Sequence, residues 1–172
     1  MKAILLIFSF LSAVSVTSFY SFDVVDVDGG LVNVPALAGK KVLLVNVASQ
    51  SKYKSQFASL KALQQQYGDS VTVLAFPSNS FGNEPLANNR IRHYYDSAFQ
   101  VNFPVAYLAP VTGNNPQDLY KWITDSLLNG RSNSRIEDDF QKYLVSSRGE
   151  LMAIFSSTVD PMDSQITQTI KP

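Results

Sequence analysis

Two apolar runs joined by a helical segment constrain the fold of this chain more than any other feature. The runs, Val42–Val47 and Val71–Phe76, are rich in leucine and β-branched residues. Such continuous runs suit strands that are buried on both faces, and the intervening Ser55–Tyr67 places its apolar residues on one helical face. A strand, a helix and a strand in this order predict a parallel βαβ unit with a right-handed crossover.

The turns that follow the two predicted strands are the first place to look for a site. They are Ser49–Lys54 and Ser78–Glu84. Parallel strands bring their carboxyl ends to the same edge of a sheet, and open α/β sheets usually bind ligands at that edge. We therefore expect these two turns to lie side by side.

The remaining pattern predicts an α/β domain. Asp28-Gly29 separates two short alternating segments, Phe22–Val27 and Leu31–Val34, and predicts an antiparallel β-hairpin. Later segments predict three more helices and one more strand. The helices are Asn88–Phe99, Pro116–Leu128 and Pro161–Ile170, and the strand is Glu150–Phe155.

The first eighteen residues have the pattern of a secretory signal peptide. Lys2 precedes the apolar stretch Ala3–Leu11, and small residues follow as far as Ser18. Cleavage after Ser18 would leave a single domain, 19–172, and would make the protein secreted. An N-terminal membrane anchor is the alternative, but the apolar stretch is shorter than the roughly 18 residues that a spanning helix needs. We therefore predict no membrane span.

Composition excludes several classes of function. The 14 basic and 14 acidic side chains balance, so there is no basic excess to bind nucleic acid. The chain contains no cysteine. Neither a disulfide nor a redox-active thiol is therefore available, and packing alone must hold the domain together.

Five segments carry recognisable motifs. Two of them, Asn46–Ser49 and Phe76–Gly82, resemble the signature sequences of the glutathione peroxidase family. A third, Phe103–Val105, resembles the family segment that leads a strand, which implies a strand over Val101–Leu108. The others are Leu119–Trp122 and Asp138–Val145, so the resemblance spans nearly the whole predicted domain. It implies a thioredoxin-like fold, with a central mixed β-sheet flanked by helices and an N-terminal β-hairpin.

The resemblance also assigns the catalytic positions, and this chain departs from the family at all four. Ser51 stands where the family has its peroxidatic cysteine or selenocysteine, and Ser80 stands where it has a catalytic glutamine. Asp138 and Asp139 replace the family's tryptophan and asparagine. A serine hydroxyl is a weak nucleophile and has no counterpart to the oxidation states of sulfur. Ionised aspartates only accept hydrogen bonds, and their charge would disfavour a thiolate.

We therefore predict a catalytically inactive homologue retained for a binding or extracellular role. One alternative is reduction of hydroperoxides in the response to oxidative stress, as the resemblance would imply. A weaker one is a new serine-dependent activity at Ser51, with His93 as base and Asp138 or Asp139 orienting it. For His93 a solvated surface position is favoured.

Further ligand sites are disfavoured by simpler roles. Glu137–Asp139 could bind a hard cation, but consecutive acids more often begin a helix or form a solvated face. The serine turns could hold a small anion, but helix capping is the simpler role. Lys52 is expected to be solvated. We expect no cofactor or metal, and the family's reductant would be glutathione or thioredoxin. The partner, protein or small molecule, stays unknown, and the short connection Asn129–Arg135 resembles monomeric members.

Overall fold

The computed structural model describes residues 16–171. The first fifteen residues of the predicted signal peptide lie outside the described residues. Within residues 16–171 a small β-hairpin is followed by a four-stranded sheet and five α-helices. Their bounds are β1 Val24–Val25, β2 Leu31–Val32, β3 Lys41–Val47, α1 Gln56–Tyr67, β4 Val71–Pro77, α2 Asn88–Phe99, α3 Asp118–Thr124, α4 Ser126–Asn129, β5 Lys142–Val145, β6 Leu151–Phe155 and α5 Ser164–Ile170.

The central sheet is mixed and has the strand order β4-β3-β5-β6. Strands β3 and β4 are parallel and in register from Lys41 opposite Val71 to Val47 opposite Pro77. Strand β5 pairs antiparallel with both β3 and β6. The predicted βαβ unit is therefore confirmed, and so are the central mixed sheet with flanking helices and the N-terminal antiparallel hairpin.

Both faces of the sheet are covered, which explains the continuous apolar runs. Alternate residues of β3 enter two different cores: Leu43 and Val45 pack with α1, α2 and α5, whereas Val42 and Leu44 pack with α3 and the N-terminal segment. Trp122 lies in the second core and is buried. A strand enclosed in this way has no solvated face, so it cannot show apolar and polar alternation.

Two predicted elements are wrong. The segment Pro116–Leu128 is not one helix, because Asp125 adopts an extended conformation and its carboxylate caps the separate helix α4. Val101–Leu108 is not a strand and forms only isolated bridges, Val105 to Ala75 and Ala106 to Asp26. Pro104 interrupts it, since proline has no N–H to donate to a neighbouring strand.

The last helix is also shorter than predicted. It begins at Ser164 rather than at Pro161, because the Asp163 side chain accepts a hydrogen bond from the Gln165 N–H and caps it there. Among residues 16–171, no helix has the length and apolar character needed to cross a membrane.

Candidate functional site

The two turns predicted as the site region lie side by side. The Ser78 N–H donates to the Val47 carbonyl at 3.0 Å, which continues the β3–β4 pairing past the strand ends. Farther along, the Gln50 N–H donates to the Asn83 carbonyl at 3.0 Å. The parallel register of β3 and β4 thus brings both turns to one edge of the sheet.

Ser51 is enclosed in the first turn. Its residue is only 1% exposed, and its Oγ accepts a hydrogen bond from the Tyr53 N–H at 3.2 Å. The same hydroxyl approaches the Asp139 carboxyl without making a well-aligned hydrogen bond. The structure therefore brings together two of the four positions that the sequence singled out.

Asp139 is a buried carboxyl without a cationic partner among its hydrogen bonds in residues 16–171. Its Oδ2 accepts from the Asn83 amide at 2.7 Å, whereas Oδ1 has no hydrogen-bond partner within that range. Burial raises the pKa of Asp139 above its ordinary value. The negative charges of Asp138 and Glu84 also raise this pKa, and the interactions with Asn83 and Ser51 lower it. The charged form is thus disfavoured here.

The backbone around Asp139 is itself unusual. The next residue, Phe140, has φ +60°, a left-handed conformation that is rare for a residue with a bulky side chain. The Phe140 N–H donates to the Asn46 carbonyl at 2.6 Å, and the Asn46 amide donates to the Asp138 carbonyl at 2.9 Å. These two bonds fix the turn that holds the Asp139 side chain against Asn83 and Ser51.

Asp138 forms an ion pair across the site. Its Oδ2 lies 2.8 Å from Lys52 Nζ, and this hydrogen bond and charge raise the pKa of Lys52. The expectation that Glu137–Asp139 begin a helix is therefore wrong, since they lie in an irregular segment before β5. The expectation of a solvated face holds only in part, because Glu137 is exposed and Asp138 is partly exposed, whereas Asp139 is buried. Lys52 is exposed but paired, rather than simply solvated.

Ser80 faces a different loop. Its Oγ accepts hydrogen bonds from the Val111 N–H at 3.0 Å, the Thr112 N–H at 3.4 Å and the Ser78 hydroxyl at 3.0 Å. The hydroxyl thus fastens the loop after the isolated bridges to the end of β4. No hydrogen bond in the described part of the chain joins it to Ser51, Asp138 or Asp139.

A second buried carboxylate, missed by the sequence analysis, lies behind Ser51. Glu84 accepts four hydrogen bonds: from the Ser49 N–H and hydroxyl, both at 2.8 Å, from the Leu86 N–H at 3.2 Å, and from the Tyr95 hydroxyl at 2.6 Å. Burial and the charge of Glu84 raise the pKa of Tyr95 well above its ordinary value. The available signal was the spacing of Ile91 and Tyr95, which puts both on the buried face of α2.

Lys142 joins β5 to the start of α1, which follows the first turn. It is fully buried in β5, and its Nζ donates to Gln56 Oε1 at the start of α1 and to the carbonyls of Ser157 and Val159. Burial lowers the pKa of Lys142 to about 8, and the charge of Asp160 opposes this effect. Such a cation stays buried only because carbonyl and amide oxygens surround it.

The assembled groups bind one another rather than form a reactive pair. Ser51 has an acidic neighbour, but the sole histidine, His93, is exposed on α2 and makes no hydrogen bond to the site within residues 16–171. In the same range, no group of three or more histidine, aspartate and glutamate side chains is arranged to hold a metal ion. The geometry supports a hydrogen-bonded cluster without a nucleophile–base pair.

Solved structures of thioredoxin-family proteins have the same fold. A thiol:disulfide interchange protein from Chlorobium tepidum superposes with a TM-score of 0.64 at 16% identity, covering 91% of this chain and 98% of its own. The crystal structure of Trgpx in apo form gives a TM-score of 0.69 at 30% identity and covers 92% and 98% of the two chains. The protein therefore has a thioredoxin-like fold, as the resemblance implied.

Sequence comparisons narrow this class to one family. The glutathione peroxidase family model matches residues 19–124. Glutathione peroxidase-like peroxiredoxin 2 of Saccharomyces cerevisiae is 32% identical over 154 residues, covering 87% of this chain and 95% of the yeast protein. The hydroperoxy fatty acid reductase of Synechocystis is 32% identical over 153 residues, with coverages of 84% and 89%. This chain belongs to the glutathione peroxidase family.

Proposed function

We propose that this protein is a secreted glutathione peroxidase homologue that no longer reduces peroxides and keeps the fold for binding an extracellular partner. The observation that carries the proposal is the state of Ser51. Its hydroxyl is enclosed, accepts a backbone hydrogen bond, and faces the buried carboxyl of Asp139. A peroxide would meet neither a thiolate nor a cluster of N–H donors at this position.

The chemistry of oxygen supports the loss. Peroxide reduction in this family needs a nucleophile that takes an oxygen atom and is then reduced by a thiol. The Ser51 hydroxyl stays protonated at neutral pH and is a weak nucleophile unless a general base activates it. Two carboxylates nearby make an anion still less favourable, and with no cysteine in the chain no other residue can take over the cycle.

The alternative of retained peroxidase activity rests on the family alone, since the relatives named as a peroxiredoxin and a fatty acid hydroperoxide reductase are similar to this chain over most of its length. The four substituted positions argue against it. Serine-dependent activity is weaker still, because Asp139 has no imidazole between it and Ser51 in the described structure. A serine-directed covalent probe that labelled Ser51 would favour that activity instead.

The proposal is tested by restoring the family residues. We expect the combined variant Ser51→Cys, Ser80→Gln, Asp138→Trp and Asp139→Asn to gain thiol-dependent turnover of hydrogen peroxide, because the thiolate and its amide and indole donors return together. The matched control carries the last three changes and keeps Ser51, and it should remain inactive. Equal turnover by this control would contradict the proposal, and an inactive but folded four-site variant would show that the loss is not confined to these positions.

A further inference from the structure

Residues Val16–Ser18, which the signal-peptide prediction assigned to the removed leader, are packed into the folded domain. The Thr17 N–H donates to the Leu128 carbonyl at 3.2 Å, and the Thr17 carbonyl accepts from the Trp122 indole N–H at 2.8 Å. Trp122 is only 1% exposed, and no other hydrogen bond of its indole N–H is present in the described structure. Residue 17 thus satisfies a buried donor of the second core.

Ser18 is the N-terminal cap of a short 3-10 helix, Phe19–Ser21. Its Oγ accepts from the Tyr20 N–H at 3.3 Å, and its carbonyl accepts from the Ser21 N–H at 3.1 Å. The next N–H, that of Phe19, donates to the Gly149 carbonyl at 2.9 Å. Phe19 is fully buried, so its backbone nitrogen is a poor place for the charged terminus of a chain.

Two glycines shape the surface under these residues. Gly130 and Gly149 both have positive φ, +69° and +83°. A Cβ atom on Gly130 would come within 2.8 Å of the Val16 side chain, and one on Gly149 within 2.1 Å of Ser18 Oγ. The domain surface therefore has room for Val16 and Ser18 where any other residue would collide with them.

These contacts distinguish two possible cleavage positions. A cut after Ser18 would remove the acceptor of the Trp122 indole and the cap of the short helix Phe19–Ser21. It would also place an ammonium group on buried Phe19. A cut after Ser15 would place that group on Val16, which is 47% exposed. The sequence before the second position also fits, since Ala13 and Ser15 are the small residues that leader cleavage requires three and one positions before the bond.

We propose that the leader is removed by hydrolysis of the Ser15–Val16 peptide bond, and that Val16–Ser18 stays as a docked N-terminal segment of the mature domain. Water supplies the oxygen of the new Ser15 carboxylate and a proton to the new Val16 amine. The inference rests on the secretion that forms part of the proposed function, and it changes the predicted boundary from Ser18 to Ser15.

Analysis of the secreted product tests the position directly. The full chain, expressed in a secretory host with a C-terminal tag, should yield a mature protein whose N-terminal sequence begins Val-Thr-Ser. A product that begins at Phe19 would overturn the inference but leave secretion intact. A chain that stays uncleaved inside the cell would overturn both, so the two failures are distinguishable.

Two leader variants provide a matched comparison. Ser15→Phe puts a bulky side chain next to the proposed bond and should block or move the cleavage, whereas Val14→Phe changes the tolerant position between the two small residues and should leave it in place. Normal processing of Ser15→Phe would contradict the proposed site.

The structural role of the segment is tested without any leader. Chains that begin at Val16 and at Phe19, after an initiating methionine, are both produced in the cytoplasm of a host cell. The shorter chain should melt about 5 °C or more below the longer one, since it loses a buried hydrogen bond and a cap. The fluorescence of Trp122, the single tryptophan, should also shift to longer wavelength. Equal melting and equal emission would overturn the role assigned to Val16–Ser18.

Discussion

Asp139 is a buried acid whose surroundings disfavour its charged form. Its carboxyl is buried between Asn83 and Ser51, with one well-aligned donor and, within residues 16–171, one oxygen that has no hydrogen-bond partner. An amide of the same size could accept the bond from Asn83 while donating to a neighbour, and it carries no charge. The fold therefore tolerates Asp139 rather than depends on it.

We predict that Asp139→Asn raises the free energy of unfolding at pH 7 by on the order of 1 kcal/mol, because it removes a buried, poorly satisfied charge. The raised pKa of Asp139 means that the folded chain binds this proton more tightly than the unfolded chain. The free-energy cost of the ionised Asp139 carboxyl is fully present above the raised pKa and disappears below the ordinary carboxyl pKa of about 4. Urea unfolding at pH 7 and near pH 3.5 should therefore show the gain only at the higher pH.

Asp138→Asn is the control for this experiment. Asp138 is partly exposed and paired with exposed Lys52, and such pairs contribute little to stability. We expect a change within about 0.5 kcal/mol at pH 7. A gain for Asp138→Asn equal to that for Asp139→Asn would mean that general charge repulsion, rather than burial of one carboxyl, explains the result.

At the scale of elements, the Tyr95 side chain links helix α2 to the site. The Tyr95 hydroxyl donates to Glu84 at 2.6 Å, and its ring packs edge-on against Phe57 of α1 with centroids 5.0 Å apart. Tyr95 thus holds the two helices and the second turn together. Its ring packs against α1, and its hydroxyl donates to the Glu84 carboxylate in the turn.

Tyr95→Phe should lower the free energy of unfolding by about 1–3 kcal/mol, since the ring contacts remain and only the hydrogen bond to buried Glu84 is lost. Tyr94→Phe is the matched control on the same helix. Tyr94 is 39% exposed, and its variant should unfold at the same urea concentration as the parent chain. If both variants lose stability equally, the Glu84 contact is not the cause.

Strand β5 is joined to helix α1 by the buried ammonium of Lys142. Replacing it with methionine leaves Gln56 Oε1 and the Val159 carbonyl without this donor, whereas the Ser157 carbonyl keeps the hydrogen bond from the Gln56 amide at 2.7 Å. We expect Lys142→Met to cost about 2–4 kcal/mol in urea unfolding. Lys121→Met, on the exposed side of α3, removes only a surface pair with Asp118 and should change stability by less than about 0.5 kcal/mol.

The pH dependence adds a second test of Lys142. Its pKa is lowered to about 8, so above that pH the folded chain releases a proton that the unfolded chain still holds. The contribution of Lys142 to stability should therefore rise with pH from 8 to the ordinary lysine value of about 10.4. The stability difference between the parent chain and Lys142→Met should widen over this range, and a constant difference would contradict the lowered pKa.

At the scale of the whole molecule, the sequence predicted what depends on local pattern. Strands β3 and β4 were predicted because a strand enclosed on both faces has a continuous apolar run, and the adjacency of the two turns follows from their parallel pairing. The breaks at Asp125 and Pro104 were missed because apolar spacing continues through both positions. The backbone conformation is determined by a capping carboxylate at Asp125 and by the missing N–H at Pro104.

The site was only partly predictable. The motifs singled out Ser51 and Asp139, but burial of Asp139 depends on the left-handed turn at Phe140. That turn is fixed by the two hydrogen bonds with Asn46, which lies 92 positions before Asp138. Glu84 reads as an ordinary loop acid until Ser49 and Tyr95 surround it. Contacts between residues so distant in sequence leave no local pattern, so the closed character of the cluster emerges only from the fold.

The central claim is that a glutathione peroxidase fold with serine at position 51 has no peroxide chemistry, and steady-state turnover tests it most directly. Purified cysteine-free protein is supplied with hydrogen peroxide or a fatty acid hydroperoxide, with glutathione or thioredoxin as reductant, and reductant consumption is followed. The account predicts that every combination of peroxide and reductant gives a rate equal to the protein-free background. Saturable consumption above that background, lost on removal of the protein, would contradict it.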